Sequence, residues 1–83
     1  MAEIKVYTTT FCPYCVAAKN LLGKKGLAFE EINLSGKPQE LQDLKNKTGW
    51  RTVPQVFINN ELIGGYNELD ALNRNGELDK LTQ

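Results

Sequence analysis

The chain has 83 residues. A chain of this length has enough apolar surface to bury for one hydrophobic core, which predicts a single domain over residues 1–83. Ten lysine plus arginine residues balance ten aspartate plus glutamate residues, which argues against a nucleic-acid binder, because such proteins usually present a basic face. No apolar run is long enough to span a membrane and the first residues lack a signal-peptide pattern, so we expect a soluble, cytoplasmic protein.

The first part of the chain predicts a strand, a helix and a second strand. Ile4–Thr8 carries the apolar and aromatic residues of a strand. Pro13 suits the first turn of the helix that follows, since its missing N–H costs nothing there. Gly23 and Gly26 close that helix. Residues 27–34 then read as the second strand.

The second part predicts another helix and a hairpin. A helix follows the loop at 35–38 and ends at Gly49. The strands at 55–58 and 61–63 flank Asn59-Asn60, a credible two-residue turn because asparagine tolerates positive φ. A third helix opens after the glycine pair, and two leucines near the end form a short apolar pair. The order is β-α-β-α-β-β-α, with the first two strands parallel because a helix crosses between them.

The residue inventory limits the chemistry. The chain has no histidine and two cysteines. Cys–His pairs, Ser–His–Asp triads and histidine-ligated metals are therefore impossible, and one chain cannot supply a four-cysteine zinc or iron–sulfur site. We accordingly expect no metal site.

Both cysteines stand in the run Cys12-Pro13-Tyr14-Cys15, where a strand leads into a helix. The N–H groups and partial positive charge of a helix N-terminus stabilise a thiolate, and thiolates so placed have pKa values of roughly 3.5–7.5. Cys15, nearly one turn on, can reach back to attack a mixed disulfide on Cys12. The pattern favours redox chemistry; its alternatives are half of a zinc site or two inert buried thiols.

Three further motifs accompany Cys12-Pro13-Tyr14-Cys15 along the chain, and they are Val6-Tyr7-Thr8, Thr52-Val53-Pro54-Gln55-Val56-Phe57-Ile58 and Ile63-Gly64-Gly65. In this order and at this spacing, the four motifs resemble those of the glutaredoxin family, dithiol class, and the resemblance covers essentially the whole chain. It implies an α/β fold of the thioredoxin type, a four-stranded mixed sheet flanked by helices. It also implies a glutathione-dependent thiol–disulfide oxidoreductase that reduces protein disulfides and protein–glutathione mixed disulfides, with ribonucleotide reductase as one candidate partner. Cys12 would be the nucleophile and Cys15 the resolving cysteine.

The resemblance places part of a glutathione site at Thr52, Val53 and Pro54. It implies a cis bond before Pro54, which would leave the backbone N–H and C=O of Val53 free to pair with the cysteinyl unit of glutathione, as an added strand would. The alternative is a proline that merely starts a strand.

The γ-glutamyl end of glutathione would bind at Gly65, Tyr66, Asn67 and Glu68. Backbone N–H groups at a helix N-terminus would take its carboxylate, and Glu68 would meet its ammonium group. Many relatives carry two aspartates where this chain has Asn67 and Glu68, and a smaller residue than Tyr66. Asn67 is expected to cap the helix. The alternative is an ordinary helix start.

Further assignments follow from the same resemblance. Many relatives carry a lysine where this chain has the threonines at 8–10, so Arg51 is the first candidate, and Lys47 the second, to meet the glycyl carboxylate. Tyr14 is expected to pack beside the glutathione sulfur, and Trp50 to be a half-buried loop residue rather than a ligand contact.

Two rival functions stay open at this point. One is a thioredoxin-like electron donor that is reduced by a flavoprotein reductase. The other is an iron–sulfur cluster carrier, in which two chains share a cluster through Cys12 and glutathione; Pro13 and the competing Cys15 disfavour it. No exposed apolar stripe is evident, so we expect a monomer.

Overall fold

The computed structural model describes residues 3–82, which form four strands and four helices. Their bounds are β1 Ile4–Thr8, α1 Pro13–Lys24, β2 Glu30–Asn33, α2 Pro38–Thr48, β3 Gln55–Ile58, β4 Glu61–Gly64, α3 Tyr66–Arg74 and α4 Glu77–Leu81. None of the helices in this described range is long and apolar enough to cross a membrane.

The four strands form one mixed sheet in the order β2-β1-β3-β4. β1 and β2 run parallel, whereas β1 with β3 and β3 with β4 run antiparallel. Asn59 and Asn60 join β3 to β4 at φ values of 53° and 67°, which confirms the predicted turn. This is the thioredoxin-like α/β fold that the resemblance implies.

The hydrophobic core lies between the sheet and helices α1, α3 and α4. Along β1 alternate residues are buried, as expected when one sheet face packs on the core. Each core residue has an apolar side chain that is nearly or fully inaccessible to solvent. These residues are Ile4, Val6, Ala18, Leu22, Val56, Ile58, Leu69 and Leu78. The core therefore fixes α1 and α3, the two helices whose N-termini face the candidate site.

Strand β2 is shorter than the predicted 27–34, because Leu27 takes part in the cap that follows α1. Gly26, at φ +70°, donates its N–H to the carbonyl of Gly23 at 3.0 Å, and Leu27 donates to the carbonyl of Leu22 at 3.1 Å. This paired arrangement is the Schellman motif that ends many helices. The N–H of Leu27 is thus used by the helix, and pairing with β1 starts only at Glu30.

A fourth helix, α4, stands where the sequence indicated only an apolar pair. Gly76, at φ +82°, makes the turn between α3 and α4. Leu78 is fully buried in the core, and Lys25 pairs with Asp79 at 2.6 Å. With five residues, α4 is too short to show helical periodicity in sequence.

Candidate active site

Cys12 occupies the N-cap of α1. Its sulfur accepts the backbone N–H of Cys15 at 3.1 Å, and its carbonyl accepts the N–H of Val16 at 3.1 Å. Pro13 is the first helical residue, as predicted. The Cys12 sulfur therefore takes the place that a serine or aspartate oxygen takes at other helix starts, where it meets N–H groups and the positive end of the helix dipole.

The two cysteines differ in accessibility. The structure holds them as a disulfide, the oxidised form of the pair, with their Cα atoms 5.2 Å apart. Cys15 is 1% exposed, whereas Cys12 is half-buried. Only Cys12 can therefore be reached by a bulky partner, and Cys15 can react with a sulfur already bound to Cys12.

The loop before β3 passes directly beside Cys12. The Cys12 sulfur lies 3.6 Å from the carbonyl oxygen of Val53, and the Val53–Pro54 peptide bond is cis. Pro54 is buried and Val53 half-buried, while Thr52 is exposed. The loop thus lies against the reacting sulfur, as the resemblance implies.

A cavity of about 340 Å³ adjoins this loop. Its volume lies within the range of small-ligand sites, roughly 300–1,000 Å³. Nine residues from three separate segments line it: Tyr14, Trp50, Thr52, Val53, Pro54, Gly65, Tyr66, Asn67 and Glu68. We refer to this cavity as the Val53 groove. It brings together every predicted ligand-binding residue except the two basic candidates, Arg51 and Lys47.

The two adjacent glycines have different places at the Val53 groove, because Gly65 lines it and Gly64 does not. Gly64 has φ +130°, and a Cβ atom there would lie 2.7 Å from Cγ of Glu68, so only glycine fits. Gly65 is the N-cap of α3, and its N–H donates to a carboxylate oxygen of Glu68 at 2.9 Å. The expectation that Asn67 caps this helix was wrong: Asn67 lies two residues beyond the cap, which a glycine provides.

A buried glutamine holds the loop from α2 to β3 in place. Gln55, which is fully buried, donates to the carbonyl of Trp50 at 2.7 Å, and its amide oxygen accepts the Thr48 hydroxyl at 3.0 Å. These bonds fix both ends of the segment that carries Thr52 and Val53. Sequence reasoning missed this role, because a lone glutamine at a strand start gives no signal of burial.

Comparison with known proteins agrees with this geometry. A sequence model of the glutaredoxin family matches residues 4–63. The chain is 47% identical over 81 residues to a glutaredoxin of Pseudomonas aeruginosa, covering 98% of this chain and 96% of that protein. It is 42% identical over 81 residues to glutaredoxin 3 of Escherichia coli, covering 98% of both chains.

The chain belongs to the glutaredoxin family. It is of the dithiol type, a thiol–disulfide oxidoreductase whose redox pair is Cys12 and Cys15. Among solved structures, it is similar to that of a buckwheat glutaredoxin–glutathione complex, with a TM-score of 0.90 and 30% identity, covering 98% of this chain and 76% of that one.

The two basic residues predicted to meet the glycyl carboxylate lie outside the Val53 groove. Arg51 is exposed and lines a neighbouring cavity with Gln42, Lys45, Asn46 and Gly49. Lys47 is exposed near the end of α2 and lines neither cavity. Trp50 is half-buried in a loop, as predicted, but its ring also lines the groove beside Gly65.

The threonine stretch before Cys12 has structural partners. Thr8 is fully buried, and its hydroxyl donates to Glu31 at 2.8 Å, while Lys19 donates to the same carboxylate oxygen at 3.0 Å. The hydrogen bond from Lys19, and then that from Thr8, hold the pKa of Glu31 below its usual value of 4.5, against a smaller opposing effect of desolvation. These contacts anchor the end of β1 that leads to the active site.

Proposed function

We propose that this glutaredoxin reduces protein–glutathione mixed disulfides and protein disulfides at the expense of glutathione, with Cys12 as the nucleophile and Cys15 as the resolving cysteine. The observation that carries this proposal is the asymmetry of the pair. Cys12 is accessible and receives an N–H at a helix start, whereas Cys15 is 1% exposed behind it. A thiolate is the attacking species in disulfide exchange, and a helix N-terminus favours it at Cys12.

In the monothiol route, the Cys12 thiolate attacks the glutathione sulfur of a protein–glutathione disulfide. The old S–S bond breaks, a Cys12–glutathione disulfide forms, and the protein leaves as a thiolate that takes a proton from solvent. A second glutathione thiolate then attacks the sulfur of the bound glutathione, which gives glutathione disulfide and regenerates the Cys12 thiolate. Electrons balance, because one glutathione thiol is consumed for each protein thiol that is released, and the disulfide of the substrate is exchanged for glutathione disulfide.

In the dithiol route, Cys12 attacks a disulfide of the target protein and forms a mixed disulfide with it. Cys15 then attacks Cys12, which yields the Cys12–Cys15 disulfide seen in the structure and a target with both thiols reduced. Two glutathiones reduce that disulfide and leave as glutathione disulfide. The buried position of Cys15 supports this order, since only a sulfur already joined to Cys12 is within its reach.

The glutathione moiety would lie in the Val53 groove. Its cysteinyl unit would pair with the backbone of Val53, beside the cis bond to Pro54, because the carbonyl of Val53 is 3.6 Å from the reacting sulfur. Thr52 would border this pairing and Tyr14 would pack beside the sulfur. The buckwheat relative, whose structure is a complex with glutathione, supports this choice of ligand.

The γ-glutamyl end would reach the start of α3. The first-turn N–H groups of Tyr66 and Asn67 have no acceptor within the helix and suit a carboxylate. Gly65 allows close approach of the ligand. Glu68 uses one carboxylate oxygen to accept the N–H of Gly65, which leaves the other for the ammonium group. Arg51 would meet the glycyl carboxylate from the neighbouring cavity.

The physiological setting follows from this chemistry. A reversible two-cysteine centre that glutathione must reduce suits a reducing compartment, so we propose a cytoplasmic location. The protein targets would be glutathionylated or disulfide-containing proteins, with ribonucleotide reductase as a candidate.

The decisive experiment supplies electrons in two ways. Wild-type protein is given a cysteine–glutathione mixed disulfide with NADPH, glutathione reductase and glutathione, or with NADPH and thioredoxin reductase alone. We expect NADPH oxidation only with the glutathione system. Turnover with thioredoxin reductase alone would contradict the proposal and favour the thioredoxin-like donor.

A further inference from the structure

Two apolar residues close to Cys12 in the chain have exposed side chains. Phe11, the residue before Cys12, is 96% exposed, and Val16, on the first turn of α1, is 49% exposed. An apolar pair at these two positions usually packs together and fixes the entry of the chain into the helix. At 96% exposure, Phe11 makes no such contact. We refer to Phe11 and Val16 together as the Phe11 surface.

The Phe11 surface is separate from the Val53 groove. Neither Phe11 nor Val16 lines the groove, whereas Tyr14 does. Cys12 therefore has a ligand groove on one side, marked by Val53, and an exposed phenylalanine adjoining it in the chain. If glutathione fills the groove, a peptide attached to the target sulfur must cross the remaining surface around Cys12.

The chain segment that carries Cys12 and the Phe11 surface is uncharged. Residues 6–18 contain no charged side chain. A single exposed leucine or valine needs no explanation. A fully exposed phenylalanine that directly precedes a reactive cysteine, with a second exposed apolar residue on the first turn of the same helix, has the features of a binding surface. Its partner should be recognised by apolar contact rather than by charge.

We propose that the Phe11 surface binds apolar side chains that flank the target cysteine of a protein substrate, and so makes the enzyme prefer cysteines in apolar sequence contexts. This inference rests on the proposed function and adds a determinant of substrate choice to it. The Phe11 surface contacts the peptide, which is the leaving group of the reaction. Cys12 attacks the glutathione sulfur, the S–S bond of the substrate breaks, and the peptide departs as its thiolate.

The test compares three substrates. Two are glutathionylated peptides of equal length and charge, with the cysteine flanked by leucines in one and by serines in the other; the third is the cysteine–glutathione mixed disulfide. For wild type, kcat/KM should be roughly five- to tenfold higher for the leucine peptide than for the serine peptide, as burial of a few apolar groups provides. Phe11→Ser should reduce this preference to about twofold or less, and Phe11→Leu should restore most of it.

A control variant distinguishes the loss of the Phe11 surface from a general loss of activity. Leu81, an exposed leucine on α4, lies beyond the end of α1 that is remote from Cys12. Leu81→Ser should keep the full peptide preference. All variants should turn over the cysteine–glutathione disulfide within about twofold of wild type, because that substrate carries no flanking residues. Val16→Thr, which keeps the side-chain shape, should lower the preference by a smaller factor than Phe11→Ser.

The outcomes are distinguishable. An unchanged leucine preference in Phe11→Ser would overturn the inference while the proposed function stands, as would an equal loss on all three substrates. Absence of turnover of all three substrates by wild type would refute the proposed function, and the inference with it.

Discussion

The Cys12–Cys15 turn and the Val53 groove meet at one sulfur atom but are built differently. In the turn, the chemistry belongs to two side chains fixed by a single helix start, and the decisive contact is local, from the N–H of Cys15 to the sulfur of Cys12. In the groove, the proposed recognition of glutathione would depend on backbone groups from the loop around Val53 and from the start of α3, which hydrogen bonds hold in place.

This difference has a consequence for mutation. Replacing either cysteine should abolish every reaction that needs its sulfur, because no other group can form the covalent bond. Changes in the groove should have graded effects, since in the proposed site several backbone contacts would share the binding of one tripeptide, and the loss of one would leave the rest.

The largest contrast is expected between the two cysteines themselves. Cys12→Ser should lose all activity, at least about a thousandfold, because the nucleophile is absent. Cys15→Ser should retain release of glutathione from a mixed disulfide and lose reduction of a protein disulfide. The coupled NADPH assay with both substrates measures this. Full deglutathionylation by Cys12→Ser would contradict the assignment of the nucleophile.

The two adjacent glycines should separate folding from binding. Gly64→Ala should destabilise the protein by about 2–4 kcal/mol, because φ is +130° and the new Cβ would lie 2.7 Å from Glu68. Gly65→Ala meets ordinary contacts of 3.4 Å or more, so it should cost only about 0.5–1 kcal/mol as a changed cap.

The measurements are urea unfolding and the KM for glutathione. We expect Gly65→Ala to raise that KM by about five- to tenfold, since its methyl group narrows the groove. Equal stability of both variants would show that the backbone at Gly64 relaxes freely. An unchanged KM for glutathione in Gly65→Ala would show that bound glutathione does not approach Gly65.

A smaller effect is expected at the support of the loop. Gln55→Met keeps the volume but leaves the carbonyl of Trp50 without its hydrogen-bond donor, whereas the Thr48 hydroxyl keeps the carbonyl of Leu44 as an acceptor. The free energy of unfolding should therefore fall by about 1–3 kcal/mol. The KM for glutathione should rise at the same time, because the loop carrying Val53 loosens. Gln39→Met, at an exposed glutamine of α2, is the matched control. A destabilised variant with an unchanged KM would mean that Gln55 supports the fold but not the groove.

The smallest effect concerns pH and the strand end that leads to Cys12. The folded pKa of Glu31 is lowered, so its contribution is present above its usual value of 4.5 and is lost as pH falls through the folded pKa. Because the group is partly exposed, we expect only about 0.2–1 kcal/mol, decreasing with added salt.

Urea unfolding of wild type and Glu31→Gln between neutral pH and pH 3 tests this. Wild type should be the more stable at neutral pH, and the two curves should converge in acid. Glu61→Gln, at an exposed glutamate of β4, is the control. A stability difference that grows as pH falls would have the wrong sign and would contradict the account.

The features that the residues alone predicted correctly depend on local backbone preferences. Pro13 at the helix start and the Asn59-Asn60 turn are both confirmed, because each depends on the backbone preference of its own residues. The cis bond before Pro54 was not predictable in this way; the family resemblance supplied it, and it is present in the structure.

What the sequence missed depends on contacts between distant segments. Leu27 was assigned to a strand, but its N–H completes the end of α1. Asn67 was expected to cap α3, yet Gly65 holds that position because Glu68 supplies the hydrogen bond. The burial of Gln55 likewise depends on its contacts with Trp50 and Thr48.

The central claim is that glutathione carried on Cys12 lies along Val53 and the start of α3. The most direct measurement is a pair of ¹H–¹⁵N spectra of Cys15→Ser, with Cys12 reduced and with Cys12 joined to glutathione. We predict that the largest shifts of backbone amides occur at Val53 and at residues 65–68, with residues at the far end of α1 unchanged. Shifts confined to the immediate neighbours of Cys12, with Val53 and residues 65–68 unaffected, would contradict the account.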